Sequence, residues 1–217
     1  MELFTFDNMG PFGVNCYAVV SKKKNAVLID APCNADGIIS MMNENGFSLK
    51  KVLLTHGHCD HIGAAAELRE KTGCEIYIHR NDAEKLTNQN SNLTTYFHLP
   101  PVDEVTDPVI LSHGDTVTLD ELTFKVMLTA GHTSGSVCYI IDDIIFSGDT
   151  LFRLSVGRTD MRDGSFPTLK ASLEALAELD EKPDYVVFPG HGDPTRLSYE
   201  KENNAFMQEN GGYDHML

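Results

Sequence analysis

A short apolar stretch, Val52-Leu53-Leu54-Thr55, runs straight into His56-Gly57-His58-Cys59-Asp60-His61. Four metal-capable side chains besides Cys59 fall within six residues, and three of the chain's nine histidines are among them. Residues two apart on an extended segment point the same way, so His56 and His58 can grip one ion together. Asp60 and His61 fall where the chain turns into a helix, and they can face a second ion. A helix leaving the segment would anchor it and keep the ligands preorganised. The chain is therefore expected to end a buried strand at an edge where further ligands arrive from elsewhere.

Three later segments repeat the design of an apolar strand, a glycine-bearing turn and a metal-capable residue. They are Ala130-Gly131-His132, Phe146-Ser147-Gly148-Asp149 and Phe188-Pro189-Gly190-His191. Alone, each reads as a hydrogen-bonded turn. Beside the first cluster they read as the remainder of a ligand set.

Hydrophobic patterning supplies the frame. Strands are predicted at 16–21, 26–30, 52–55, 75–78, 116–119, 122–128, 137–141, 144–146 and 185–188. Lys22-Lys23-Lys24-Asn25 reads as a hairpin turn between the first two. Helices are predicted at 36–45, capped by Asp36 and stopped by Gly46, and at 62–71, 166–179 and 198–210. Phe166, Leu169, Leu173, Leu176 and Leu179 recur at three- and four-residue steps, so 166–179 presents an apolar face to a core. The polar, proline-bearing stretch 88–108 reads as a long loop over one face. This order predicts an α/β (α+β) chain with two β-layers and helices packed outside. The length of 217 residues suits a single domain over 1–217.

H-x-H-x-D-H followed by a His, an Asp and a His resembles the signature of the metallo-β-lactamase-fold superfamily, and the resemblance spans essentially the whole chain. Within that superfamily, 147–160 (SGDTLF…GR.D) and Pro189-Gly190-His191-Gly192 are similar to the glyoxalase II-like hydrolases. The resemblance implies a four-layered αβ/βα sandwich with metals at one edge between the two sheets. It implies His56, His58 and His132 as ligands of one ion, Asp60, His61 and His191 of a second, and Asp149 as the bridge, with Asp60 and Asp149 counted as catalytic. Two divalent ions are implied, zinc first, with iron or manganese tolerated by the same ligands. Such ions bring the pKa of a shared water to about 7, and the hydroxide would attack a carbonyl carbon. A thiolate leaves with little help, so the expected substrate is a thioester, an anionic small molecule. Arg158 is the candidate to bind its carboxylate. The alternatives are a lactonase or other ester hydrolase, and a persulfide dioxygenase with one iron at positions matching His56, His132 and Asp149. The chain ends soon after His191, with room for one helix, and so resembles the short branch without a C-terminal helical domain.

Composition narrows the partners. The 17 basic residues against 32 acidic give a net charge of −15, which argues against nucleic acid and anionic membranes. No apolar run approaches the roughly 18 residues of a membrane span. The five cysteines are scattered without a C-x-x-C pair, and the N-terminus lacks signal-peptide features, so a cytoplasmic location is expected. Arg153 is a weaker substrate-binding candidate, and Cys59 is expected to be a packed bystander. His98, Tyr17, Tyr96 and Phe97 are candidates for a pocket wall. His79, His113 and His215 are expected at turns or the surface.

Overall fold

The computed structural model describes residues 1–180 and 184–208. Strands β1 (Glu2–Met9), β2 (Val14–Val20), β3 (Asn25–Ile29), β4 (Ser48–Leu53), β5 (Glu75–His79) and β6 (Val109–Leu111) form a six-stranded sheet in that spatial order. The chain then lays down β7 (Thr116–Leu119), β8 (Leu122–Leu128), β9 (Val137–Ile141) and β10 (Ile144–Gly148). A small hairpin of β11 (Leu151–Phe152) and β12 (Ser155–Val156) follows, then β13 (Val186–Pro189) and β14 (Thr195–Arg196). All but the hairpin form a second six-stranded sheet ordered β14-β13-β10-β9-β8-β7. The helices are α1 (Ala35–Glu44), α2 (Cys59–Ile62), α3 (Ala65–Thr72), α4 (Phe166–Ala177) and α5 (Leu197–Asn203).

Alternation along the strands sorts side chains into layers. On β2, Tyr17 and Val19 pack between the sheets with Val27, Leu53, Phe124 and Phe146. Cys16, Ala18 and Val20 point the other way and cluster with Ile38 and Met42 of α1 and Leu68 of α3. On the second sheet, Cys138, Ile140, Ile145 and Val187 cluster with Leu169, Leu173 and Leu176 of α4. The result is the helix–sheet–sheet–helix sandwich that the element order implied. Leu173 is 1 % exposed, and truncating it to alanine would cost about 2–5 kcal/mol.

The local chemistry departs from the sequence reading in places. Asn34, not Asp36, caps α1: its side chain accepts from the Gly37 N–H at 3.1 Å. Asp36 already lies in the first turn, where its charge suits the helix dipole instead. Ser165 caps α4, with Pro167 in the first turn. The helix predicted at 62–71 is two helices, and the first starts at Cys59. Between them Gly63 lies so close to the Pro32 carbonyl that a Cβ would sit 2.4 Å from its oxygen. The helix predicted at 198–210 is α5 followed by a 3-10 turn at Ala205–Met207, and residues 209–210 lie outside the described residues. The patterning missed the edge strands β1 and β6 and a 3-10 helix at Arg80–Leu86. Residues 88–108 carry turns and bends but no helix or strand, as predicted. Among the described residues, no helix is long and apolar enough to cross a membrane.

Candidate metal centre

The turns after β4, β8, β10 and β13 meet at one edge of the sandwich. They carry His56 to His61, His132, Asp149 and His191 respectively. Ligand atoms of His56, His58 and His132 all lie within 4.8 Å of one another, and the same holds for His56, His61 and Asp149 and for Asp60, His61 and His191. All seven predicted ligands are thus brought together. Asp149 stands between the first and the last of these triads: Oδ2 lies 3.4 Å from His132 Nε2 and 3.5 Å from His191 Nε2, and Oδ1 lies 3.3 Å from His61 Nε2. Asp60 Oδ2 lies 3.7 Å from His191 Nε2 and 3.8 Å from His61 Nε2.

Hydrogen bonds around the centre select which ring nitrogen faces inward. The Thr55 hydroxyl donates to Asp30 Oδ2 at 2.8 Å, so its oxygen is left to accept from His56 Nδ1–H at 3.1 Å. Asp30 Oδ2 also accepts from His61 Nδ1–H at 2.9 Å. Carbonyl oxygens can only accept, so His132 Nδ1–H donates to Arg158 O at 2.7 Å, and His191 Nδ1–H donates to Phe12 O at 3.1 Å. In each of these histidines the Nε2 lone pair is left for an ion. His58 is the exception, with Nδ1 turned inward, 2.9 Å from His132 Nε2.

The donor set fits divalent cations. His56 Nε2 and Asp149 Oδ1 are buried without a hydrogen-bond partner, an arrangement that costs about 1–3 kcal/mol per atom unless a cation satisfies it. Burial, and then the His61 ring 4.2 Å away, hold His56 well below the ordinary histidine pKa, and burial and then His132 do the same to His58. Both rings are neutral at pH 7 and can ligate. Burial would push His61 down too, but Asp149, Asp30 and Asp60 override it and raise its pKa. Three carboxylates make this corner attract positive charge, and a metal ion would compete with that proton.

Two carboxylates that the sequence reading missed hold the ligand turns in place. Asp30, just past β3, accepts from Thr55 N at 2.7 Å as well as from Thr55 Oγ1 and His61. Asp82 Oδ2 accepts from Gly57 N and from Thr133 Oγ1, both at 2.8 Å, and so ties the His56–His58 turn to the His132 turn. Lys85 Nζ donates to Asp82 Oδ1 at 2.9 Å and to Asp163 Oδ2 at 2.7 Å. Asp30 carries a faint sequence signal, a lone carboxylate ending an apolar strand. Asp82 carries none, since it stands in a polar segment. Tyr17 packs between the sheets rather than lining a pocket, and its hydroxyl donates to Pro189 O at 2.6 Å, steadying the His191 turn. Motif glycines are needed for room: a Cβ at Gly148, where φ is +49°, would lie 2.4 Å from Thr55 Oγ1, and one at Gly190 would lie 2.3 Å from Asp149 Oδ1.

A cavity of about 390 Å³ opens over the ligands, walled by Phe12, Leu93, Phe97, Phe152 and Val156. Arg158 also lines it, but its guanidinium is engaged with Asp160 through Nε and a terminal nitrogen, both at 2.7 Å. Arg153 faces Asp193 at 3.5 Å instead. Tyr96 is 63 % exposed, and neither it nor His98 is among the lining residues. Burial and then Asp60 push the Cys59 thiol up to about 11, so it is no thiolate at neutral pH. His79 Nδ1 accepts from Asn81 N, and His113 Nδ1 accepts from Leu128 N, both as turn supports. His215 lies outside the described residues.

Known proteins resemble this chain in sequence and fold. The family model for the metallo-beta-lactamase superfamily matches residues 9–191. The hydroxyacylglutathione hydrolase GloC of Haemophilus influenzae is 34% identical over 200 residues, which cover 90% of this chain and 93% of that protein. The solved structure of the BLEG-1 B3 metallo-beta-lactamase superimposes with a TM-score of 0.88 at 30% identity, covering 95% of this chain and 100% of the other. TTHA1623, solved in a di-iron-bound form, gives a TM-score of 0.83 at 32% identity over 94% of this chain and 99% of the other. With the ligand set, the sandwich and these likenesses in agreement, the chain belongs to the metallo-beta-lactamase superfamily.

Proposed function

We propose that this protein is a dinuclear, zinc-dependent hydrolase of small-molecule thioesters, of glyoxalase II-like type. The observation that carries the reading is Asp149, whose carboxylate stands against His132 on one side and against His61 and His191 on the other. His56, His58 and His132 would hold one ion, Asp60, His61 and His191 the second, and Asp149 both. Bound there, divalent ions supply an activated water at neutral pH and polarise the substrate carbonyl. The reaction breaks the acyl C–S bond and forms a C–O bond to the water oxygen; the sulfur leaves as a thiolate and takes up one of the water's protons, so a thiol and a carboxylate are released with one net proton.

The chain's own residues supply the rest. Asp30 and the carbonyls of Arg158 and Phe12 keep imidazole Nδ1 protons pointing outward. Asp60, whose side chain is 18 % exposed, is the ligand-set carboxylate that opens most to the cavity, and it can orient a water or hold a proton there. Phe12 and Phe97, with ring centroids 5.0 Å apart, shield the centre from bulk water. GloC's name supports the thioester, and the unpaired cysteines, which have no bridging partner among the described residues, suit a reducing, cytoplasmic setting.

The test is hydrolysis of a thioester panel by zinc-loaded protein, beside lactones and a β-lactam. Thioester turnover that disappears on chelation and returns with zinc is expected. Sulfide-dependent oxygen uptake with one iron per chain, or a clear preference for the lactam, would contradict the proposal.

A further inference from the structure

The walls of the cavity bear on which thioesters fit. Outside the ligand set, the lobe over the ligands is lined by Phe12, Leu93, Phe97, Phe152, Val156 and Met161, with only Ser155 and Arg158 polar among the described residues. A second lobe of about 270 Å³ adjoins it and shares Phe12 and Asp60. Its further lining includes Met9, Pro11, Leu99, Pro100 and Val102, with Cys33 and Cys59. The two lobes have Phe12 and Asp60 in common, so the apolar lining continues beyond the first lobe on the Asp60 side of the ligand set. The volumes match those of small-ligand sites, whose affinity comes mostly from apolar contact.

Charge points the same way. Arg158 is the one cation among the described residues lining either lobe. It is already matched by Asp160 through two hydrogen bonds, and Asp160 would repel any carboxylate that Arg158 attracts. A glutathione moiety carries a carboxylate at each end and an ammonium beside one of them. Outside the ligand set, no described residue lining either lobe offers these groups an unmatched charged partner, and burying them unpaired is costly.

We infer that this site selects uncharged, apolar thioesters and disfavours glutathione conjugates. The inference rests on the thioesterase reading above and departs from the anionic substrate that Arg158 alone suggests. The selection comes from Phe12, Phe97 and Phe152 as walls and from Asp160 as the group that neutralises Arg158.

The experiment compares kcat/KM of the zinc-loaded full chain on two thioesters of one acyl group: phenylacetyl-N-acetylcysteamine, which is uncharged, and phenylacetyl-glutathione. The uncharged substrate should be preferred by at least about tenfold. Phe97→Ala should lower its kcat/KM by about tenfold, while Phe97→Leu, which keeps an apolar wall, should retain most of it. Asp160→Asn should raise the rate on the glutathione thioester and narrow the ratio. Equal rates, or a preference for the glutathione thioester, would overturn the inference and leave the thioesterase reading standing. Cleavage of neither thioester by protein that retains its metal would sink that reading, and the inference with it.

Discussion

At the floor of the site, His56, His58, His61 and His132 are each at most 4 % exposed, and all of these rings but that of His58 are oriented by a hydrogen bond from Nδ1. At its walls, Phe12 is 39 % exposed, the Arg158 side chain is 55 % exposed, and Phe97 comes from a stretch without helix or strand. The floor is assembled from strand ends locked by the buried carboxylates Asp30 and Asp82. The walls come from loop side chains and from the small β11–β12 hairpin. The difference separates two tasks: a ligand set tolerates little displacement, whereas a wall has only to be apolar and of roughly the right shape.

Substitutions can break that contrast. Asp149→Ala should reduce turnover by more than the roughly 100-fold at the upper end for residues that merely orient ligands, and it should lose metal, read by elemental analysis. Lys85→Met leaves the buried Asp82 without its cation and should destabilise the chain by about 3–5 kcal/mol in urea unfolding. That effect carries a pH signature. Burial would raise the Asp163 carboxyl, but Lys85 and Ser134 override it and hold it low; burial would lower Lys85, but Asp82 and Asp163 override it and raise it. A lowered carboxyl stabilises above its unfolded pKa of about 4, and a raised lysine stabilises below about 10.4. The gap between wild type and Lys85→Met should be widest between those values. It should close as pH falls through the folded Asp163 pKa or rises through that of Lys85, and a gap that stays flat down to pH 3 would show that the pair contributes nothing. Asp30→Asn should weaken metal affinity by about 10–100-fold while the fold survives, since it releases His61 and, through Thr55, His56. Arg153→Ala, outside floor and walls alike, should change stability by under about 0.5 kcal/mol and leave kcat/KM as it was.

The same contrast governs what could be read from the sequence. Ligation demands particular residue types at fixed spacing, so all seven floor positions were visible in His56 to His61 and in the glycine turns before His132, Asp149 and His191. Buried strands and the α4 stripe were visible because alternation and three-four spacing record burial directly. Edges recorded little: β1 is partly exposed along its length and carries weak alternation, and β6 has three residues of which Val109 and Ile110 face outward. Asp82 was hidden because its partners, Gly57 and Thr133, are far away in sequence and close only in the fold. Of the walls, Phe97 and Arg158 were named from the sequence, whereas Phe12 was hidden for the same reason as Asp82, since it meets Phe97 at a separation of 85 positions.

Metal content measured by elemental analysis on protein purified without added metal, beside its rate on an uncharged thioester, tests the central claim most directly. Seven side chains that converge on one edge should retain about two divalent ions per chain, and thioester turnover should scale with that content. Folded protein that binds a single ion with Asp149 intact, or hydrolyses the thioester equally well after its metal is removed, would contradict the account.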